Sequence, residues 1–259
     1  MELSEDQFRR YARHLILDEV GEEGQERLLR SRVLVVGAGG LGSPLLLYLA
    51  AAGVGTIGVA DDDRVDITNL QRQIVHATRN VGAPKVESAR ETLAAINPDV
   101  RVEIHPFRLD AENAEAVIAG YDLVADGSDN FVTRYLLTDL CCRLEKPLVA
   151  AALSPFEGQL STFRPYRGAG HPCYRCLFRD PPPPDLVPRC EEAGILGAVA
   201  GVLGTLQAVE VLKELLGLGD SLDGTLLLYE ALRARFHSIR IAKDPECPTC
   251  SEHTVASLP

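Results

Sequence analysis

Arg32-Val33-Leu34-Val35-Val36-Gly37-Ala38-Gly39-Gly40-Leu41-Gly42 is the stretch on which the fold turns. Four of its first five residues are apolar and three of those, Val33, Val35 and Val36, are β-branched; they run straight into glycines and are followed by a helical pattern from Leu45 to Ala52 that Gly53 ends. The order strand, glycine turn, helix is the opening of a βαβ unit of the kind that can bind a nucleotide. Thr56-Ile57-Gly58-Val59-Ala60 supplies the second strand, closed by Asp61-Asp62-Asp63. Parallel strands joined in this way need cover on both faces. Outward from this unit the rhythm repeats: helix Lys85 to Ile96, strand Arg101 to His105, helix Ala111 to Ala119, strand Leu123 to Asp126, helix Phe131 to Leu144 and strand Leu148 to Ala151. The alternation predicts an α/β, Rossmann-like doubly wound fold with a mainly parallel sheet. Beyond Leu153 the segments shorten, and Gln159 to Phe163 and Thr225 to Tyr229 read as antiparallel C-terminal strands around a loop at Pro181 to Pro184. Upstream, Phe8, Tyr11, Leu15 and Ile16 recur at helical spacing among Arg9, Arg10, Arg13 and His14, which predicts a helical arm over residues 1–31. No internal repeat and no second core stand out, so residues 1–259 are expected to form one domain.

Composition bounds the function. Across 259 residues, 46% are hydrophobic and 24% charged, as in a folded globular protein. The net charge of -11 repels nucleic acid and anionic lipid, making both poor partners. The acidic start Met1-Glu2-Leu3-Ser4-Glu5-Asp6 lacks a basic region leading into an apolar one, so a cytoplasmic location is expected. The apolar run Ala193 to Leu206 falls short of the ~20 residues a bilayer needs and is met by Gln207, Glu210 and Lys213; it reads as a buried helix.

Gly37, Gly39 and Gly42 form G-x-G-x-x-G, with Gly40 a further glycine between them. Such a turn lets backbone approach a phosphate and aims helix N-terminal N–H groups at it. Asp61 stands where a ribose hydroxyl would be held. On these residues alone NAD, another adenine nucleotide, and glycines that only tighten the turn all remain open. Asn69-Leu70-Gln71-Arg72-Gln73 and then Lys85 favour a triphosphate, whose charge under attack at phosphorus calls for Arg and Lys. The bland reading of Arg72 and Lys85 is two solvated surface charges. Gly127-Ser128-Asp129-Asn130 follows the strand Leu123 to Asp126. Asp129 or Asn130 is either a helix cap or, for Asp129, a carboxylate placed to hold Mg²⁺ against phosphates.

Cys173-Tyr174-Arg175-Cys176 and Cys247-Pro248-Thr249-Cys250 are two C-x-x-C knuckles, the spacing of a tetrahedral four-thiolate Zn²⁺ site with no position left for substrate. Cys141 and Cys142 lie in an apolar helical stretch and read as core. Cys190 follows Arg189 and precedes a helix expected near Gly194; a reactive nucleophile and an inert loop thiol are both compatible with that setting.

Taken together, Arg10-Tyr11-Ala12-Arg13, GAGGLG, Asp61-Asp62-Asp63, NLQRQ, Pro84-Lys85, Ser128-Asp129-Asn130, both knuckles and Cys190-Glu191-Glu192-Ala193-Gly194 resemble, in order, the ThiF/MoeB adenylyltransferases, relatives of the ubiquitin-activating enzymes. The resemblance implies that the C-terminal glycine of a ubiquitin-like sulfur-carrier protein attacks ATP to give an acyl-adenylate. A persulfide would then convert this to a thiocarboxylate for thiamin, molybdopterin or tRNA thiolation. It implies nucleotide contacts from Gly37, Gly39, Gly40, Gly42, Asp61, Asp63, Asn69, Arg72, Gln73 and Lys85, and Mg²⁺ at Asp129. Residues 32–152 would bind nucleotide, and residues 153–259 zinc and carrier. Arg13 would act in the site of a neighbouring subunit of a homodimer, and Cys190 would match a loop cysteine that some branches link to the carrier. Without a rhodanese segment after the second knuckle, sulfur is expected from a separate donor, a cysteine desulfurase or a rhodanese. The competing expectation from the glycine fingerprint is an NAD-dependent oxidoreductase with structural zinc; a third is a zinc-stabilised binding module.

Overall fold

A computed structural model describes residues 3–182 and 194–251. The eight-stranded sheet has the order β3-β2-β1-β4-β5-β6-β7-β8. Strands β1 (Arg32–Val36), β2 (Thr56–Ala60), β3 (Arg101–His105), β4 (Leu123–Asp126) and β5 (Leu148–Leu153) are parallel. Strands β6 (Glu157–Phe163), β7 (Thr225–Glu230) and β8 (Arg235–Arg240) are antiparallel. The chain runs one way from β1 through β2 to β3, then crosses back to β4 on the other side of β1. That reversal opens a crevice at the C-terminal ends of β1 and β4, where sheets of this kind take ligands.

The period-two alternation of a strand splits β1 between two cores. Val33 and Val35 face one core with Leu45 and Leu49 of α3 (Gly42–Ala52), Val86 and Leu93 of α4 (Lys85–Ile96), and Leu203 of the long helix Gly197–Leu216. Leu34 and Val36 face the other, with Ile118 of α5 (Ala114–Ala119), Leu137 of α6 (Phe131–Arg143) and Tyr174 of α7 (Tyr174–Leu177). The long helix, α8, extends well past the apolar run. Gln207 and Glu210, which follow that run, are buried within the helix because each finds acceptors or donors in the sheet. Among the described residues no helix is long and apolar enough to cross a membrane.

Three expectations need revision, and one strand was not anticipated. The arm is two helices, α1 (Glu5–Leu15) and α2 (Gly21–Arg30). Helix α5 starts at Ala114 because Asp110 Oδ1 accepts the N–H groups of Glu112 and Asn113 and holds them in a turn. β8 is an edge strand exposed on every residue, so no apolar alternation marked it. Cys141 is core, whereas Cys142 is half-buried against the C-x-x-C thiols, its Sγ donating to the Thr249 carbonyl at 3.7 Å.

Helix α1 begins with a capping box between Ser4 and Gln7. It docks on the far ends of α3 and α4 from the crevice. Asn97 Nδ2 donates to Tyr11 Oη at 2.9 Å and to the Ala50 carbonyl at 2.8 Å, and the Tyr11 ring occupies the space a Cβ on Gly53 would need. Asn97→Ala leaves the Tyr11 hydroxyl oxygen buried without its donor. The expected loss is about 2 kcal/mol of unfolding free energy, read by urea denaturation; an unchanged midpoint would mean the arm is not anchored there.

Candidate active site

The glycine turn is shaped by close backbone contacts. Gly37 has φ 94°, and a Cβ on Gly42 would lie 1.9 Å from the Gly37 carbonyl oxygen. Gly127, leaving β4, donates its N–H to the Val36 carbonyl at 2.9 Å, so the turns after β1 and β4 are locked together. Asp61 Oδ2 accepts the Ala38 N–H at 2.7 Å, and Asp61 Oδ1 accepts the Asp63 N–H at 2.9 Å. Among the described residues the N–H groups of Gly39, Gly40 and Leu41 meet no acceptor, leaving a concave run of donors at the start of α3.

The expected cations gather on this turn. Asp66 caps the short 3-10 turn Ile67–Asn69, and the Asn69 carbonyl accepts the N–H groups of Arg72 and Gln73 at 3.0 and 2.9 Å. This curl lays the Arg72 methylenes across Gly40, within 3.6 Å of where a Cβ would stand, and brings Gln73 Nε2 within 3.7 Å of the same point on Gly39. Gln73 is buried, and its Oε1 has no hydrogen-bond partner among the described residues. Lys85, 5% exposed, places Nζ 2.7 Å from Asp63 Oδ2. Lys85, Asp63, Asp61 and the turn are therefore one connected chain of contacts.

Asn130, whose Oδ1 accepts the Thr133 N–H at 2.9 Å, is the cap of α6; Asp129 is left exposed beside the crevice. The loop bearing Asp129 is held by Arg134, a buried side chain absent from the sequence reading. Its Nη2 donates to the Ser128 and Ala151 carbonyls, both at 2.9 Å, and its Nε lies 3.2 Å from Asp126 Oδ2. Burial is the largest single effect and opposes the Arg134 charge, but Asp126, Tyr174 and Asp129 together outweigh it and hold the guanidinium's pKa above its ordinary value. His76, also missed, contacts the turn at the Ala38 carbonyl. Neither residue belongs to a spacing pattern; a polar residue placed among apolar ones was the only signal.

Two expected residues stand apart. Arg13 is exposed on α1, at the opposite end of α3 from the turn. An 11-residue helix is about 16 Å long, so this side chain does not face its own chain's turn. Cys190 lies outside the described residues. Away from the crevice, Cys173, Cys176, Cys247 and Cys250 bring their sulfurs within 4.8 Å of one another. The separations Cys173–Cys247 3.5 Å, Cys176–Cys250 3.4 Å and Cys173–Cys176 3.9 Å bracket the ~3.8 Å edge of a tetrahedron of thiolates ~2.3 Å from one ion. The cluster can hold a metal.

The fold defines a doubly wound α/β protein of the nucleotide-binding kind, in which the Arg72 methylenes lie across the glycine turn, Arg72 Nη1 donates to the Thr68 carbonyl at 3.2 Å, and Lys85 connects to the turn through Asp63 and Asp61. A family model described as the ThiF family matches residues 11–249, and the chain belongs to that family. It is 51% identical over 254 residues to a sulfur carrier protein adenylyltransferase of Thermus thermophilus, covering 97% of this chain and 94% of that one. It is 50% identical over 258 residues to a SAMP-activating enzyme E1 of Haloferax volcanii, covering 100% and 94%. A probable adenylyltransferase/sulfurtransferase MoeZ of Mycobacterium tuberculosis is 47% identical over 96% of this chain and 64% of its own length. The crystal structure of E. coli MccB with ATP superposes with TM-score 0.77 at 18% identity, over 96% of this chain and 82% of that one, a likeness of fold.

Burial, the larger effect, lifts the Asp61 carboxyl above the ordinary carboxylate range, while Lys85 pulls it down. A carboxyl raised on folding binds its proton more tightly in the native state. Its charge therefore weighs against the fold above the raised value, and that cost is gone below the unfolded value near ~3.9. The unfolding free energy of wild type minus that of Asp61→Asn should fall as pH rises from about 4 towards neutrality, read by urea denaturation without nucleotide. A flat or rising difference would exclude burial as the dominant effect.

Proposed function

We propose that this protein uses ATP to adenylylate the C-terminal carboxylate of a ubiquitin-like sulfur-carrier protein, readying it for conversion to a thiocarboxylate. One observation carries the reading: Arg72, Gln73 and the Lys85–Asp63–Asp61 chain crowd a glycine turn whose free N–H groups await an anion. Family membership and the adenylyltransferase names of close relatives support it. Hydride transfer, the competing expectation, finds no support among those names.

In the reaction a carboxylate oxygen bonds to the α-phosphorus as the bond from phosphorus to the bridging oxygen breaks, and pyrophosphate leaves with the electron pair. Two anions must meet: at ~4 Å and an effective dielectric of ~20, each pair of like unit charges costs about 4 kcal/mol. Arg72 and Lys85 supply the opposing charge, and the turn at Gly37, Gly39, Gly40 and Gly42 supplies N–H donors that need no reorganisation. Asn69 and Gln73 complete the phosphate contacts, and Asp61, with Asp63 beside it, holds the ribose. Asp129 would hold Mg²⁺, which draws charge from the phosphate oxygens. The four thiolates would take Zn²⁺ in a closed, structural site. Arg13, facing away from its own turn, would serve a second copy in a homodimer. In this division residues 1–31 are the arm, 32–152 bind nucleotide, and 153–259 bind zinc and carrier. Sulfur would come from a separate donor, and the reaction would run in the cytoplasm. Any part for Cys190 lies outside the described residues.

The test is ATP–pyrophosphate exchange with each ubiquitin-like carrier of the source organism. Exchange with at least one is expected, and its absence with all would end this reading. Asp129→Ala should abolish exchange without altering zinc content. If Arg13 acts across a dimer, Arg13→Ala and Asp129→Ala are each inactive, yet mixing them in equal amounts recovers about a quarter of wild-type exchange, because half the dimers then hold one intact site of two. No recovery after subunit exchange would assign Arg13 to its own chain.

A further inference from the structure

The nucleotide turn is gripped from behind by a residue to which the reaction above gives no part. His76 is 7% exposed, with Nε2 2.9 Å from the Ala38 carbonyl oxygen and Nδ1 2.9 Å from Ser88 Oγ. A carbonyl only accepts, so Nε2 carries the hydrogen; in the neutral ring Nδ1 then accepts from the Ser88 hydroxyl. Burial, the largest effect, and the nearby Lys85 charge lower the ring's pKa against the opposing hydrogen bond to the Ala38 carbonyl, so the neutral ring predominates at pH 7.

Ala38 is thereby held at both polar atoms, its N–H by Asp61 and its carbonyl by His76. No peptide bond among the described residues is cis, and in a trans peptide the carbonyl and the following N–H point to opposite sides. With the Ala38 carbonyl turned inward onto His76, the N–H of Gly39 is turned outward, at the head of the run of free donors. Ser88 lies on α4, whose first residue is Lys85. One imidazole therefore ties the helix that carries the buried cation to the turn that carries the donors.

We propose that His76 is a positioning residue for the nucleotide phosphates: its Nε2–H holds the Ala38–Gly39 peptide so that the Gly39 N–H faces the ligand. The inference rests on the ATP reading above. Two amides separate the ring's nitrogens. Gln at this position can return a donor where Nε2 stood, and Asn can return only the acceptor facing Ser88. The Kd for ATP with magnesium, measured by calorimetry without any carrier, should stay within about twofold of wild type in His76→Gln. It should rise about tenfold in His76→Asn, the order expected for one lost hydrogen bond. Each amide gives up one of the two bonds, so both thermal midpoints should fall by similar amounts.

Equal Kd values for the two variants, or affinities that follow the thermal midpoints, would reduce His76 to a packing residue and overturn the proposal. Should His76→Asn fail to fold, Ser88→Ala keeps the ring but unlocks its tautomer. An expected weakening of about threefold supports the proposal and an unchanged Kd overturns it. Wild type that binds ATP but exchanges no pyrophosphate would sink the carrier reaction and leave the role of His76 to these affinities; wild type that binds no ATP would sink both.

Discussion

The nucleotide end of the molecule hangs from the Asp61 carboxylate. Its two oxygens take the N–H groups of Ala38 and Asp63, joining the glycine turn after β1 to the acidic turn after β2. Asp63 then receives Lys85, whose ammonium would be costly at 5% exposure without a partner. Removing Asp61 would therefore disturb more than the proposed ribose contact: the orientation of the turn and the placement of the buried lysine's partner both run through it. Asp63 is itself largely open to solvent, its side chain 66% exposed. The ion pair is accordingly weakly held on its outer side, and an arriving phosphate can compete for the ammonium.

This arrangement needs the strand order as much as the side chains. β1 pairs with β2 on one side and β4 on the other, so the turns after all three strands open at the same end of the sheet. The absence of side chains at Gly37, Gly42 and Gly127 lets the β1 and β4 turns interlock. The segment 66–84, between β2 and α4, folds back over the turn, and Gly197 at the head of α8 presses against the Gln71 carbonyl, leaving no room for a Cβ. A long crossover that brings no strand to the sheet thus becomes a wall of the crevice.

Much of this was legible in the sequence because its signals are local. A β-branched run followed by glycines fixes strand and turn, and Cys173 and Cys176 form a knuckle whatever surrounds them. Arg72 and Lys85 could be suspected from charge close behind a nucleotide turn, although only the fold brings them onto Gly40 and Asp63. What stayed hidden depends on distant partners. Arg134 is buried because Asp126, Ser128 and Ala151 meet it. Gln207 is buried because its Nε2 donates to the carbonyls of Asp126, the last residue of β4, and Val149, within β5. Helical periodicity treats both as surface residues. β8 escaped for the opposite reason: with one neighbour and two exposed faces, it has no apolar pattern to show.

The thiol cluster has a consequence beyond holding the tail. Asp139, on α6, accepts both forks of Arg175 at 2.9 and 2.8 Å and the Thr249 hydroxyl at 2.6 Å, so one carboxylate grips both knuckles. Between Cys173 and Cys176, the Tyr174 ring packs edge-on to Tyr135 and Phe163 and lies under the Arg134 guanidinium at 5.7 Å. Arg134 in turn fixes the Ser128 carbonyl, one residue before Asp129. A contiguous run of packed and hydrogen-bonded groups therefore leads from the sulfurs along α6 to the loop carrying the exposed carboxylate. A metal held by the four thiolates would stiffen that run at its far end and so restrain the Asp129 loop. A closed metal site there would in this way serve the proposed chemistry without offering a coordination position to any substrate.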